Sequence, residues 1–114
     1  MNRLRLGVVS WLLTAAPLLA GSAKECLNLS ATRDAEIYSP GGIQVTVTGV
    51  NDRCSDTVHP DQSSFRVRAI GPNGELGVQT GRFQTSTPPG SRSQTKLFVS
   101  CDPDRVRYLH VEGQ

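Results

Sequence analysis

The feature that most constrains the fold of this chain is a strict alternation of apolar and polar residues. It runs through Ile43-Gln44-Val45-Thr46-Val47-Thr48 and returns in Phe65-Arg66-Val67-Arg68-Ala69. Successive side chains of a β-strand point to opposite faces, so this period predicts strands with one face in a core and the other in solvent. After residue 23 no segment repeats apolar residues at i, i+3, i+4 and i+7 over two turns, so almost no helix is expected.

Further strands are predicted where β-branched and aromatic residues concentrate, at residues 76–83, 95–101 and 105–111, with a weaker candidate at 34–38. Three tight-turn sequences punctuate the strands, and each is expected to close a hairpin: Pro40-Gly41-Gly42, Gly71-Pro72-Asn73-Gly74 and Asp102-Pro103-Asp104. Two longer segments, 51–64 and 85–94, have no apolar period. They are predicted to be loops that cross between sheets.

Strands of this length and spacing predict an all-β fold, a small antiparallel β-sandwich with an immunoglobulin-like or fibronectin-like arrangement. The same strands would also allow a small closed β-barrel, which is the alternative. The likeness to immunoglobulin domains is one of fold and implies no function. The expected core takes the apolar residues of the alternating runs: Ile43, Val45, Val47, Phe65, Val67, Ala69, Leu97 and Val99.

The N-terminal segment predicts a cleavable signal peptide over residues 1–23. Arg3 and Arg5 precede an apolar run at 6–20, and Gly21-Ser22-Ala23 offers the small side chains that cleavage requires. An apolar run of roughly 15 residues is too short to span a bilayer, which takes about 20. We therefore expect one β-sandwich domain over residues 24–114, secreted or periplasmic, with no integral membrane segment after cleavage. An uncleaved N-terminal anchor is the alternative.

The charge balance argues against nucleic acid as a partner. The chain has 12 basic and 10 acidic residues, and two of the basic ones, Arg3 and Arg5, lie in the predicted leader. The mature domain is thus expected to carry no net charge, and it has no run of like charges that would bind a phosphate backbone.

Three cysteines follow the leader, Cys26, Cys54 and Cys101, so at most one intramolecular disulfide can form. A small exported domain gains stability from such a bridge. A Cys54–Cys101 disulfide is predicted because both residues follow predicted strands, which makes Cys26 the free thiol near a fraying end. A Cys26–Cys101 bridge is the alternative. The odd cysteine could also join two copies into a homodimer.

Little in the sequence points to catalysis. His59 and His110 are the only histidines, and neither lies in a hydrolase signature. Redox Cys-x-x-Cys and phosphate-binding glycine patterns are absent. The segment around His59 also contains potential zinc or copper ligands, Asp52, Cys54, Asp56 and Asp61, but at irregular spacing and in a context where Asp commonly forms turns. We expect no enzyme, no cofactor and no metal site.

Arginines are the most distinctive surface feature. If the alternating apolar residues face the core, Arg66 and Arg68 face solvent. Together with Lys96 and the arginines of the last predicted strand they would form a basic strip, provided that the strands share a sheet. The candidate binding residues are therefore Arg66, Arg68, Lys96, Arg105 and Arg107. Pairing of these side chains with Glu36, Glu75 and Glu112 is the alternative.

The leading functional hypothesis is a non-catalytic secreted or periplasmic binding or assembly module. It would recognise a protein or an anionic polymer through the arginine-bearing face or through a strand edge. The alternative is a small proteinaceous inhibitor of an envelope or extracellular hydrolase, with the loop at 85–94 plugging an active site. A metal-binding carrier is the third hypothesis.

Overall fold

The computed structural model of the chain describes residues 22–35 and 39–114. A short helix, α1 (Ala23–Cys26), leads into six strands: β1 (Leu27–Arg33), β2 (Gly42–Asn51), β3 (Phe65–Gly71), β4 (Gly74–Gly81), β5 (Arg92–Ser100) and β6 (Tyr108–Gly113). They form two antiparallel three-stranded sheets of order β1-β2-β5 and β4-β3-β6. The sheets pack together as a small all-β sandwich, which confirms the predicted fold class. In the described residues no helix is long and apolar enough to cross a bilayer.

Three connections cross between the two sheets: β2 to β3, β4 to β5 and β5 to β6. The first two contain most of the segments predicted as crossing loops, although Asn51 still belongs to β2 and residues 92–94 to β5. The turn at residues 71–74 closes the predicted hairpin. The prediction of a hairpin at Asp102-Pro103-Asp104 was wrong, because β5 and β6 lie in different sheets. The Asp102 side chain accepts a hydrogen bond from the Asp104 N–H (3.1 Å) at the start of a 3-10 turn, Pro103–Arg105, and the Arg107 N–H then donates to the Ile70 carbonyl (2.7 Å). The chain is thereby directed onto β3.

The core is built on the alternating residues of β2 and β3, which are at most 2 % exposed: Ile43, Val45, Val47, Phe65, Val67 and Ala69. Val99 of β5 is also buried, whereas Leu97 is only partly buried. Two buried residues of the crossing segments, Val58 and Phe83, extend this core beyond the prediction. The rings of Phe65 and Phe83 lie 5.2 Å apart between centroids, within the range of favourable tilted packing.

Strand β1 was missed by the sequence analysis, which favoured residues 34–38. Asp34 and Ala35 lie outside any strand, and residues 36–38 lie outside the described part of the chain. The pattern of β1 is nevertheless the same as elsewhere, because Leu27, Leu29 and Ala31 face the core. The strand lies at the N-terminal end of the predicted mature domain, where chains fray unless something holds them.

A disulfide between Cys26 and Cys54 holds this end, and Cys101 is the free thiol. The predicted bridge between Cys54 and Cys101, with Cys26 unpaired, was wrong. Leu27 lies opposite Asn51, so Cys26 is close to the segment that follows β2. Cys101 instead lies beside Gly41, at the start of β2. The ten residues of β2 therefore separate Cys101 from Cys54, by about 30 Å at a normal strand rise. The buried disulfide is compatible with an oxidising compartment.

Two residues assigned to the leader belong to the folded part of the chain. The Ser22 hydroxyl accepts a hydrogen bond from the Glu25 N–H (3.2 Å), and Ala23 is fully buried. Gly113 of β6 packs against the backbone of Ala23 and Lys24 so closely that a Cβ there would lie 2.5 Å from the Lys24 nitrogen. The other leader residues, 1–21, lie outside the described part of the chain.

The pairing of the cysteines makes a direct stability prediction. Cys26→Ser with Cys54→Ser should lower the free energy of unfolding by about 3 to 4 kcal/mol, because the bridge closes a loop of 28 residues in the unfolded chain. Cys101→Ser, the matched control, should change it by well under half of that. Denaturant unfolding without reductant measures both. A larger loss for Cys101→Ser would contradict the assignment.

Candidate functional site

Strand β4 is the open edge of the second sheet. In the described chain its one neighbour in the sheet is β3. Apart from the partly buried Leu76, its inward positions are Gly77, Gln79 and Gly81, which add no apolar side chain to the core. Gly77 is required by a close approach, because a Cβ there would collide with the Ser100 carbonyl oxygen. Backbone pairing with β3, rather than core packing, thus holds β4 in place.

Most of the edge of β4 lacks the charges that usually protect an edge strand. Residues 76–81 contain no charged side chain, and Val78 is 47 % exposed on the outer face. Strand β4 has one charged residue, Glu75 near its start, and β1 has an uncharged run of equal length at residues 27–32. Among the exposed large hydrophobic side chains of the described strands, Val78, Phe98 and Tyr108, only Val78 lies within such a run. Exposed, uncharged edges offer their backbone groups to another strand. Among the described strands, β4 is therefore the best suited to accept one.

A shallow groove of about 380 Å³ lies beside this edge, on the outer face of the second sheet. In the register, Arg68 sits between Val78 of β4 and His110 of β6, and Arg66 sits between Thr80 and Glu112. The groove is lined by Arg66, Arg68, Glu75, Val78, Gln79 and Thr80. It thus combines an exposed aliphatic side chain with two guanidinium groups.

The two arginines of the groove differ in their partners. Arg68 Nη2 lies 3.1 Å from Glu112 Oε1, and Arg68 Nη1 lies 3.7 Å from Glu75 Oε1. Arg66 forms no ion pair with another described residue. The outer face therefore balances two positive charges with two negative ones, and Arg66 is the cation left to bind an incoming group.

The continuous basic strip predicted from the sequence does not form. Lys96 lies on the first sheet, where its Nζ contacts Asp34 Oδ2 (3.0 Å). Arg105 and Arg107 precede β6, and the β6 residues beside Arg66 and Arg68 are Glu112 and His110. Of the five candidate residues, the structure brings together Arg66 and Arg68. The alternative, pairing with glutamates, is observed for Arg68, which contacts Glu75 and Glu112. Glu36 lies outside the described residues.

A second surface is formed by a turn at residues 88–91, which Asn51 holds. The Asn51 side chain is buried, and its Nδ2 donates to the carbonyls of Asp56 (2.8 Å) and Thr87 (3.0 Å). Its backbone carbonyl accepts from the Gly90 N–H (2.7 Å), and its N–H donates to the Ser91 carbonyl (3.0 Å). One residue thus makes hydrogen bonds to both ends of the turn.

The turn itself is rigid. The Ser91 N–H donates to the Pro88 carbonyl (3.0 Å), with Pro89 and Gly90 between them. Gly90 has φ 82°, as the third residue of a type II turn requires, and Pro89 fixes φ at the second. Pro88, Pro89 and Gly90 are exposed, so the loop presents a preformed apolar tip.

The potential metal ligands around His59 are not assembled. Cys54 is oxidised in the disulfide, and His59 Nδ1 lies 3.3 Å from the Ser86 hydroxyl on the surface. Within residues 22–35 and 39–114, no group of three or more His, Cys, Asp or Glu side chains could hold a metal ion. The metal-carrier hypothesis therefore has no set of ligands in this part of the chain.

The free thiol is Cys101, so any homodimer through the odd cysteine would use this residue. Its side chain is half-buried, and the Sγ lies 3.6 Å from the Val99 carbonyl oxygen. Burial raises the pKa of the Cys101 thiol, which Arg33 opposes and Asp102 reinforces. A thiol with a raised pKa is a poor nucleophile at neutral pH, which disfavours an intermolecular disulfide here.

Comparison of the chain with protein-family models, with curated proteins and with solved structures finds no match. Function is therefore inferred from the two surfaces described above, which are the β4 edge with its groove and the turn at residues 88–91.

The role of Asn51 can be measured directly. Asn51→Ala removes the side-chain donor to the Asp56 and Thr87 carbonyls, of which Thr87 keeps the Val58 N–H, and should lower the free energy of unfolding by about 1 to 3 kcal/mol. The exposed neighbour Asp52 supplies the control, because Asp52→Ala should have an effect within about 0.5 kcal/mol. Equal unfolding curves for the two variants would show that Asn51 does not brace the turn.

Proposed function

We propose that this chain is a non-catalytic binding module that takes an extended segment of a partner protein onto the edge of β4. The observation that carries the proposal is an edge strand whose uncharged run, residues 76–81, contains the exposed side chain of Val78. In strand addition, backbone hydrogen bonds supply most of the affinity and alternate side chains supply specificity. The groove beside β4 would receive those side chains.

A protein segment suits this surface better than an anionic polymer does. Glu75 and Glu112 cancel much of the positive charge of the outer face, so a polyanion would meet repulsion as well as attraction. A single acidic side chain of a bound segment could instead pair with Arg66. An exposed Val78 then offers an apolar contact next to that charge.

We propose a secreted or periplasmic location for this activity. The predicted leader supports export, and the Cys26–Cys54 disulfide is compatible with an oxidising compartment. An exported leader would be removed before Ser22 rather than after Ala23, since both residues contribute to the fold.

Site-specific photocrosslinking tests the proposed edge. A photoreactive side chain at Val78 should capture a partner protein in an extract of the cells that make this chain, because it would lie beside the outer-face side chains of the added strand. The same group at Ser30, an exposed position on β1, is the matched control and should capture far less. An additional Gln79→Lys substitution places a charge on the edge and should reduce capture at Val78. Equal capture at both positions, or capture unaffected by the lysine, would contradict the proposal.

A second candidate function is inhibition of a secreted hydrolase by the turn at residues 88–91. This function is favoured by the hydrogen bonds through which Asn51 holds the turn, since a loop held in one conformation loses little entropy when it enters an active site.

Assays against a panel of secreted proteases and glycosidases would test this candidate. Pro89→Arg should weaken inhibition by tenfold or more, about 1.4 kcal/mol, while Val78→Lys should leave it unchanged. Inhibition that is lost in the Val78 variant and retained in the Pro89 variant would instead assign the activity to the β4 edge. Failure to inhibit any enzyme of the panel would remove the support for this function.

A further inference from the structure

We infer that the segment added to β4 is β4 of a second copy of this chain, paired antiparallel about a twofold axis. This inference rests on the proposed function, because it uses the same edge. It names the partner strand and its register.

The register follows from the alternation of side chains. A twofold axis normal to the sheet keeps each face of the strand on the same side, and directly opposite residues of an antiparallel pair share a face. The axis must therefore pass through a residue position rather than between two. Val78 is the exposed apolar residue near the middle of β4, and centring the axis there pairs it with the Val78 of the second copy. This contact removes the two aliphatic side chains from water.

The charges at the ends of β4 are complementary in this register. Because Leu76 and Gly77 together occupy one position at the β-bulge, Thr80, which shares the outer face, lies opposite the Glu75 of the second copy. The β-bulge in the pairing of β3 with β4 leaves Glu75 on the outer face, which Arg82 shares by alternation from Gly81. Arg82 lies two residues beyond Thr80 on the same face, so it is the diagonal neighbour of Glu75 across the interface and its long side chain can reach the carboxylate. The twofold axis repeats the contact.

Both side chains are available for this contact. Arg82 is exposed and forms no ion pair with another described residue. The contact between Glu75 Oε1 and Arg68 Nη1 is long, at 3.7 Å, so the Glu75 side chain can turn toward another guanidinium group. The interface therefore holds two Glu75–Arg82 pairs.

No like charges oppose each other in the interface. The uncharged run 76–81 separates Glu75 from Arg82 along each strand, so the antiparallel arrangement brings unlike ends together while a parallel one would bring like ends together. Pairing at this edge joins the second sheet of one copy to the second sheet of the other, which gives one continuous sheet of order β6-β3-β4-β4-β3-β6. The edge of β5, with Arg92 and Lys96, has no comparable self-complementarity, since no acidic residue lies in that strand.

Reciprocal charge reversal tests this register with the purified chain in sedimentation experiments over a range of concentrations. Glu75→Arg alone and Arg82→Glu alone should each weaken self-association about tenfold or more, because two attractions become two repulsions. An equimolar mixture of the two variants should associate again, since both contacts of a mixed pair then join an acidic side chain to a basic one. The mixture retains any intrachain effect of either substitution, so recovery reports the contact between copies. Circular dichroism of each variant checks that the fold persists.

Two outcomes would overturn the inference. One is a wild-type chain that stays monomeric at the highest accessible concentration, and the other is a mixture that associates no better than the single variants. If the chain stays monomeric and Val78 still crosslinks to a different protein, the proposed function stands and only the second copy is wrong. If Val78 crosslinks to nothing and the chain stays monomeric, both are wrong.

Discussion

The inner faces of β2 and β3 form the contact on which the other elements depend. Their alternating residues are almost completely buried, and each remaining strand is placed by pairing with one of these two: β1 and β5 flank β2, while β4 and β6 flank β3. The core covers β3 fully, but β4 places glycines and an exposed glutamine on its inner face. The uncovered edge of β4 is therefore a consequence of how far the core extends. A protein segment added there would displace no core side chain, but it would replace the hydrogen bond from the Thr80 N–H to Gln79 Oε1 (3.0 Å).

Buried polar groups fix the long crossing segments, which have no apolar period of their own. Asn51 makes hydrogen bonds to both ends of the turn at residues 88–91, and the Ser63 hydroxyl accepts from the Phe83 N–H (2.9 Å) and lies 2.8 Å from the Pro60 carbonyl oxygen. The Cys26–Cys54 disulfide ties the N-terminal helix to the first of these segments. Hydrogen bonds between buried groups are costly to break, so these segments are held firmly although they contain little regular structure. The molecule thus combines a rigid set of loops with an open strand edge.

The parts of the structure that repeat with period two could be read from the sequence, as Ile43, Val45 and Val47 show by their burial. Long-range pairing could not. The disulfide depends on β1 lying beside β2, a pairing that the sequence analysis did not predict. The arginines of β3 were correctly placed on an outer face, but the register that sets Arg68 between Glu75 and Glu112 is a property of three strands together. The open edge became visible only with the strand order, because a neutral run such as 76–81 reads equally well as a central strand.

Amide hydrogen exchange tests the central claim, that β4 is an unpaired edge where another strand adds. In the dilute chain, the β4 amides that do not bond to β3 should exchange quickly, while those of β2 should be strongly protected. When the partner strand is present, whether from a second copy or from another protein, the fast amides of residues 76–81 should become protected. Fast amides that stay unprotected in the bound state, with new protection on the outer face of the first sheet instead, would contradict the account.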